Sequence, residues 1–200
     1  MSKKIPCLLL GAALAWLCPG AFADDTGFSV KITQQSLEPL PPAVFVRVAC
    51  QQTRVVFLAP HGFKCTSHEE RREVRLVARN DTSAIALTFH TAELTETNAA
   101  AYWRAQLLGR YAGAQVVEHF TESAAGASGP AFDLVWERRD SPPLKLRSMF
   151  IPLGKQWVEL TLITTPAAFE QDRHALNQVA LSLRGAEGIE PVAPVLSNKI

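Results

Sequence analysis

The chain has few cysteines and almost no net charge: four of its 200 residues are cysteine, and 20 basic side chains stand against 19 acidic ones. That balance argues against a polybasic surface, and so against a nucleic-acid binder or a module held on anionic lipid by charge. No Cys-x-x-Cys occurs, which removes the usual support for a thiol redox or ligand role. No serine has the Gly-x-Ser-x-Gly context of an activated nucleophile. Gly126 and Gly129 lack the lysine and the following helix of a phosphate-cradling loop. Beyond residue 23 the apolar runs are broken by Arg, His, Pro or Glu, so none is expected to span a bilayer as a helix. No internal repeat is present.

What is there begins with an export signal. Lys3 and Lys4 precede a short apolar stretch, a Pro19-Gly20 break and a small-x-small ending at Ala21-Phe22-Ala23. These are the parts of a cleavable leader, and cleavage is expected after Ala23. An uncleaved anchor is the competing reading. Lipidation at Cys18 is another, disfavoured by the bulky Trp16 and Leu17 before it. Removing the leader takes Lys3 and Lys4 with it and leaves 18 basic against 19 acidic groups. The remaining chain, about 177 residues, suits one domain. The expected division is a signal at 1–23, a lead-in at 24–42, a single domain at 43–185 and a tail at 186–200. The expected location is the periplasm, with secretion as the alternative.

Loss of Cys7 and Cys18 leaves Cys50 and Cys65, 15 positions apart. In an oxidising compartment they are read as a disulfide worth about 3 kcal/mol. Two separate buried thiols, or a ligand role, are the alternatives.

Hydrophobic periodicity orders the rest. Residues 28–32, 43–49 and 54–59 alternate as strands, with Pro39, Pro41 and Pro42 interrupting the first part. Residues 73–79 and 84–91 form a hairpin across the Asn80-Asp81-Thr82-Ser83 turn, and the Asn-Asp-Thr triplet is also a glycosylation acceptor. From 99 to 112 the period becomes 3.6, with Trp103, Leu107, Leu108 and Tyr111 in one stripe, and Gly113 is placed to end the helix. A short strand at 116–120 and a flexible loop at 123–130 follow. Strands at 131–139, 144–152 and 156–164 make an antiparallel meander. A last helix is expected from Thr165 and Pro166, with Phe169, Leu176, Val179, Ala180 and Leu183 on its apolar side. The fold class is α+β, an antiparallel sheet with two main helices in an α/β/α layered sandwich.

The segment from Phe57 to Phe63, the hairpin, the helix with Tyr102-Trp103, the meander through Trp157 to Leu162 and the closing helix with Phe169 resemble the Mog1/PsbP-like superfold, in its exported bacterial branch of unknown role. The resemblance covers residues 43–183. It implies an α/β/α sandwich and no single activity, since such proteins include photosystem accessory subunits, small-GTPase regulators and exported bacterial proteins. No functional residue is carried over.

Candidate chemistry is sparse. His61, His68 and His90, with Cys65 if it is free, could supply ligands to a soft divalent metal. Asp133 and Glu137 share strand parity and are read as an outward charged row with Arg139. Arg138, Arg139, Lys145 and Arg147 flank the Pro142-Pro143 turn and could form a positive rim for an acidic or protein partner. Trp103, Trp136 and Trp157 are read as core. A deep pocket between the helix at 99–112 and the sheet would put ligand binding first.

The leading function is an exported, non-catalytic accessory or binding protein of the periplasm or envelope. It would have a protein partner, no cofactor, no nucleic acid and no integral membrane segment. The alternatives are a small hydrolase or metal-binding protein using His61, His68 and His90, and a secreted immunity-type protein that neutralises a partner.

Overall fold

The computed structural model describes residues 27–37, 40–139 and 141–185. The expected signal peptide and the tail at 186–200 lie outside the described residues. Eleven strands and two α-helices follow in order: β1 Phe28–Leu37, β2 Leu40–Cys50, β3 Thr53–Ala59, β4 Phe63–His68, β5 Glu73–Ala78, β6 Ala84–His90, α1 Glu96–Arg110, β7 Ala114–Ala124, β8 Ala127–Arg138, β9 Ser141–Leu153, β10 Gln156–Thr164, α2 Phe169–Ser182 and β11 Arg184–Gly185. The pairings are antiparallel.

Seven strands form one sheet in the order β4-β5-β6-β10-β9-β8-β7, and four form a second in the order β1-β2-β3-β11. Helix α1 lies on one face of the large sheet; α2 and the small sheet share the other core. This is an α/β/α sandwich with a second sheet added on the α2 side. The lead-in is part of it: β1 pairs with β2 from Phe28↔Cys50 to Leu37↔Leu40, so the small sheet begins well before residue 43.

Period 2 assigns the faces. On β10, Val158, Leu160 and Leu162 pack with Phe169, Leu176 and Val179 of α2 in one cluster. Trp157 points the other way, into a cluster with Trp103 and Leu107 of α1. A strand in the middle of a sheet covered on both sides has no solvent face, and β10 is buried along nearly its whole length. Trp103 stacks on Phe150 at 4.4 Å and 9° and meets Trp157 edge-on at 5.7 Å. Stacked and edge-to-face contacts of this kind add about 1 kcal/mol each beyond burial.

Helix α1 starts where polar side chains satisfy its first turn: the Thr95 N–H donates to Asn98 Oδ1 at 2.8 Å. Past its end, Gly113 takes φ +86, a conformation that costs glycine least. Helix α2 begins at Phe169, three residues later than Pro166 would suggest. The intervening turn is closed by the Ala168 N–H donating to Thr165 Oγ1 at 3.4 Å.

Two expectations are corrected. The segment 123–130 is no loose loop: β7 and β8 run through it to a two-residue turn, Ala125-Gly126, with φ +53 and +79. Positive φ at both central residues is the hairpin turn that matches strand twist. Its small residues serve close approach of strands, since Gly129 lies against the Phe150 carbonyl. The Cys50-Cys65 disulfide is also absent. Both cysteines are free thiols. Cys50 closes the β2-β3 hairpin opposite Thr53 in the small sheet, whereas Cys65 pairs with Leu76 on the outer strand of the large sheet. The intervening turns return the chain into different sheets, and burial pushes both thiols up from their ordinary range.

Candidate functional site

The face of the large sheet beneath α1 carries a run of polar side chains at its centre. Period 2 puts Glu159 and Thr161 on the same side of β10 as Trp157. Neighbouring strands bring Thr88 opposite Glu159 and Ser148 opposite Thr161. Glu159 is 1% exposed. Its Oε1 accepts from Arg110 Nη1 at 2.7 Å and from Thr161 Oγ1 at 2.8 Å, and its Oε2 accepts from His90 Nε2 at 2.7 Å. A carboxylate has no proton to give, so His90 carries its proton on Nε2. Thr161 spends its own proton on Glu159, which makes Ser148 Oγ the donor in the 2.7 Å contact between the two hydroxyls.

Burial alone would push the Glu159 carboxyl up. The His90 hydrogen bond and the charge and hydrogen bond of Arg110 outweigh it and bring it from 4.5 down to about 2. The pair also sits well for the helix: Arg110 is in the last turn of α1, where a cation faces the negative end of the dipole. Tyr111 is raised, by burial first and then by the Glu159 charge.

A carboxyl held at about 2 stabilises the folded state by roughly 3 kcal/mol when both states are ionised. That contribution is complete above the unfolded value near 4.5 and is lost as pH falls through the folded value near 2. Urea midpoints are therefore expected to fall between about pH 5 and pH 2. Glu159→Gln should lower the midpoint at pH 7 and flatten that acid limb. Parallel acid limbs in the two proteins would refute the assignment.

Glu159 forms part of the wall of a cavity of about 330 Å³ at the C-terminal end of α1, with Arg71, Glu73, Arg75, Thr88 and Tyr111 also around it. Arg75 Nε donates to Glu73 Oε1 at 2.9 Å. The cavity thus presents three guanidinium groups, two carboxylates, a phenol and hydroxyls, a lining suited to holding a small polar ligand by hydrogen bonds.

The residues singled out from sequence are dispersed. His61 is exposed in the turn after β3, beside a separate cavity of about 400 Å³. His68 is exposed at the end of β4, and His90 is committed to Glu159. Among the described residues no group of three His, Cys, Asp or Glu side chains could hold a metal ion. Arg147 is not on a surface rim: it is 7% exposed. Its Nε and Nη2 donate to Asp133 Oδ1 and Oδ2 at 2.6 and 2.7 Å. Asp133 is accordingly buried and paired, not part of an outward row. Lys145 lies 3.8 Å from the Phe169 ring centre, and Arg138 sits over Trp136 at 5.5 Å and donates to the Pro142 carbonyl. Arg139 is exposed.

Sequence reasoning missed Glu159. Its one signal is a lone carboxylate inside Trp157-Val158-Glu159-Leu160-Thr161-Leu162, a strand apolar enough to be buried on both faces.

No family model matches the sequence, and no curated protein does. Solved structures match the architecture of an antiparallel α/β/α sandwich. LpqN of Mycobacterium tuberculosis, described as involved in cell envelope biogenesis, is 11% identical, with 78% of this chain and 91% of that one covered at a TM-score of 0.52. The Ran-binding protein Mog1p of Saccharomyces cerevisiae is 10% identical over 78% and 96%, at 0.50. Cyanobacterial PsbP of Synechocystis is 11% identical over 66% and 86%, at 0.49. The chain has the α/β/α sandwich fold of Mog1p and LpqN. Likeness at this identity speaks to fold alone.

Proposed function

We propose that the protein acts after export as a non-catalytic binding protein of the periplasm or cell envelope, and that the cavity beside Glu159 holds a small polar ligand. The observation that carries this reading is the state of Glu159. Both of its oxygens are taken up by His90, Arg110 and Thr161 inside the protein. The same geometry makes it a good structural anchor, fixing Arg110 at the cavity wall. Arg71, Arg75, Thr88 and Tyr111 then provide donors at set positions. Export rests on the leader at 1–23. Among the described residues no helix is long and apolar enough to cross a membrane. Arg139, exposed at the β8-β9 turn, with Arg138 beside it, is the surface offered to a protein partner, while Lys145 is turned onto the Phe169 ring.

The test is native mass spectrometry of protein recovered untagged from an envelope extract, with a pull-down from the same extract. A reproducible small-molecule adduct is expected, and Ala86→Phe, which fills the cavity from β6, should abolish it without unfolding the protein. Absence of both an adduct and a reproducible partner would remove this reading.

A further inference from the structure

We infer that a second cavity, distinct from the one beneath α1, binds a short acidic peptide segment. Its volume is about 930 Å³, and it opens at the end of the molecule where the β2-β3, β7-β8 and β9-β10 turns meet β11. That size lies in the range of ligand-holding clefts, about 300–1,000 Å³. Five separated stretches of chain converge on it, all of them turns or strand ends, the places where a rigid sheet framework presents binding groups.

Its charge is one-sided. Arg54, Lys155 and Arg184 line it, and among the described residues no acidic side chain does. In a protein of net charge +1 this is a local concentration of cations, not a reflection of composition. Arg54 and Lys155 are exposed and make no ion pair among the described residues. Arg184 donates from Nη1 to the Leu181 and Leu183 carbonyls, which fixes its guanidinium at the rim.

Polar groups on the wall narrow the chemistry. Gln156 is 4% exposed; its Nε2 donates to Gln51 Oε1 at 3.0 Å, and its Oε1 has no partner among the described residues. That oxygen is closed off from solvent, and the rest of the Gln156 side chain contributes to the cleft wall. Gln51 itself is held at φ +53, uncommon for a residue with a Cβ, and its N–H donates to the Gly27 carbonyl at 2.7 Å. The pair of carboxamides is thereby fixed at the cleft wall. A single small anion would leave a cleft of this volume largely empty, whereas an acidic peptide brings several carboxylates along one chain for Arg54, Lys155 and Arg184. Nucleic acid fits poorly, because among the described lining residues there is no aromatic ring on which a base could stack.

The probe is fluorescein-labelled pentaglutamate, titrated by anisotropy into the intact exported protein at low and moderate salt. Saturable binding is expected, weakening as salt rises. Arg54→Glu with Lys155→Glu, both at exposed positions, should weaken it about tenfold or more while leaving the melting temperature in place. Ala86→Phe should leave it unchanged. The inference is overturned by non-saturable binding, by a double charge reversal that binds as tightly as the parent, or by equal competition from inorganic phosphate or oligothymidylate. Because Ala86→Phe addresses the other cavity, failure here and failure of the α1 cavity are separately visible.

Discussion

Arg147→Met should cost 3–5 kcal/mol, more than any other single side-chain truncation considered for this protein. The reason lies in what the substitution leaves behind. Asp133 and Arg147 are side by side on β8 and β9 and almost wholly buried, with both guanidinium contacts under 2.8 Å. The Asp133 hydrogen bond raises Arg147 further above its ordinary value. The guanidinium also sits over Phe120 at 4.6 Å and near Phe169 at 5.6 Å, so it links the meander to α2 through both charge and ring contacts. Methionine leaves a buried carboxylate unpaired. Adding Asp133→Leu removes that orphan, and the double variant is expected to recover most of the loss, since replacing a whole buried pair by apolar side chains is often neutral. Arg147→Lys should recover less, because one ammonium cannot match a bidentate carboxylate. Urea unfolding of the four proteins decides it. A single substitution costing under about 1 kcal/mol would show that the pair is not desolvated as described.

Gly129→Ala should cost about 3 kcal/mol or prevent folding, for a purely steric reason. A Cβ at this position would stand 1.8 Å from the Phe150 carbonyl oxygen and 3.0 Å from its carbon. The obstacle is backbone in the middle of β9, so relief requires β8 and β9 to separate where Ala131 pairs with Met149 and Phe132 with Ser148. Those pairs anchor both faces of the sheet. Gly109→Ala is the matched control: nothing lies within 4 Å of its Cβ, and it sits in α1. Removing a helical glycine there should stabilise by about 0.5–1 kcal/mol. Thermal melts of the two variants are expected to shift in opposite directions, and a Gly129→Ala protein that melts with the parent would be incompatible with this strand spacing.

Most of the framework was legible because local rules carry it. The 3.6 stripe of Trp103, Leu107, Leu108 and Tyr111 and the period-2 runs in β5 and β6 each point to burial, and all are buried except Leu108 and Ala78, which are half-buried. The loop expected at 123–130 failed for a specific reason. Ala, Gly and Ser lower strand propensity, yet small side chains are what this hairpin needs where Gly129 meets Phe150. The disulfide failed because separation in sequence limits but does not set the distance between two strand ends. Asp133 and Arg147 were misplaced outward by their polarity alone, since nothing local reveals that two charges on adjacent strands will meet.

The candidate site was less legible still. Glu159, His90 and Arg110 come from β10, β6 and the end of α1, and 69 residues separate His90 from its partner. By itself, the amino-acid sequence determined the export signal as an expectation, the two amphipathic helices, the strand alternation and the near-neutral charge. These follow from side-chain type and short-range period, which are local quantities. Only the tertiary structure decided which carboxylates are buried, which cations they hold, that Cys50 and Cys65 stay apart, and where cavities open. Those outcomes depend on sheet order and on which faces α1 and α2 cover, and both are set by contacts between residues distant along the chain.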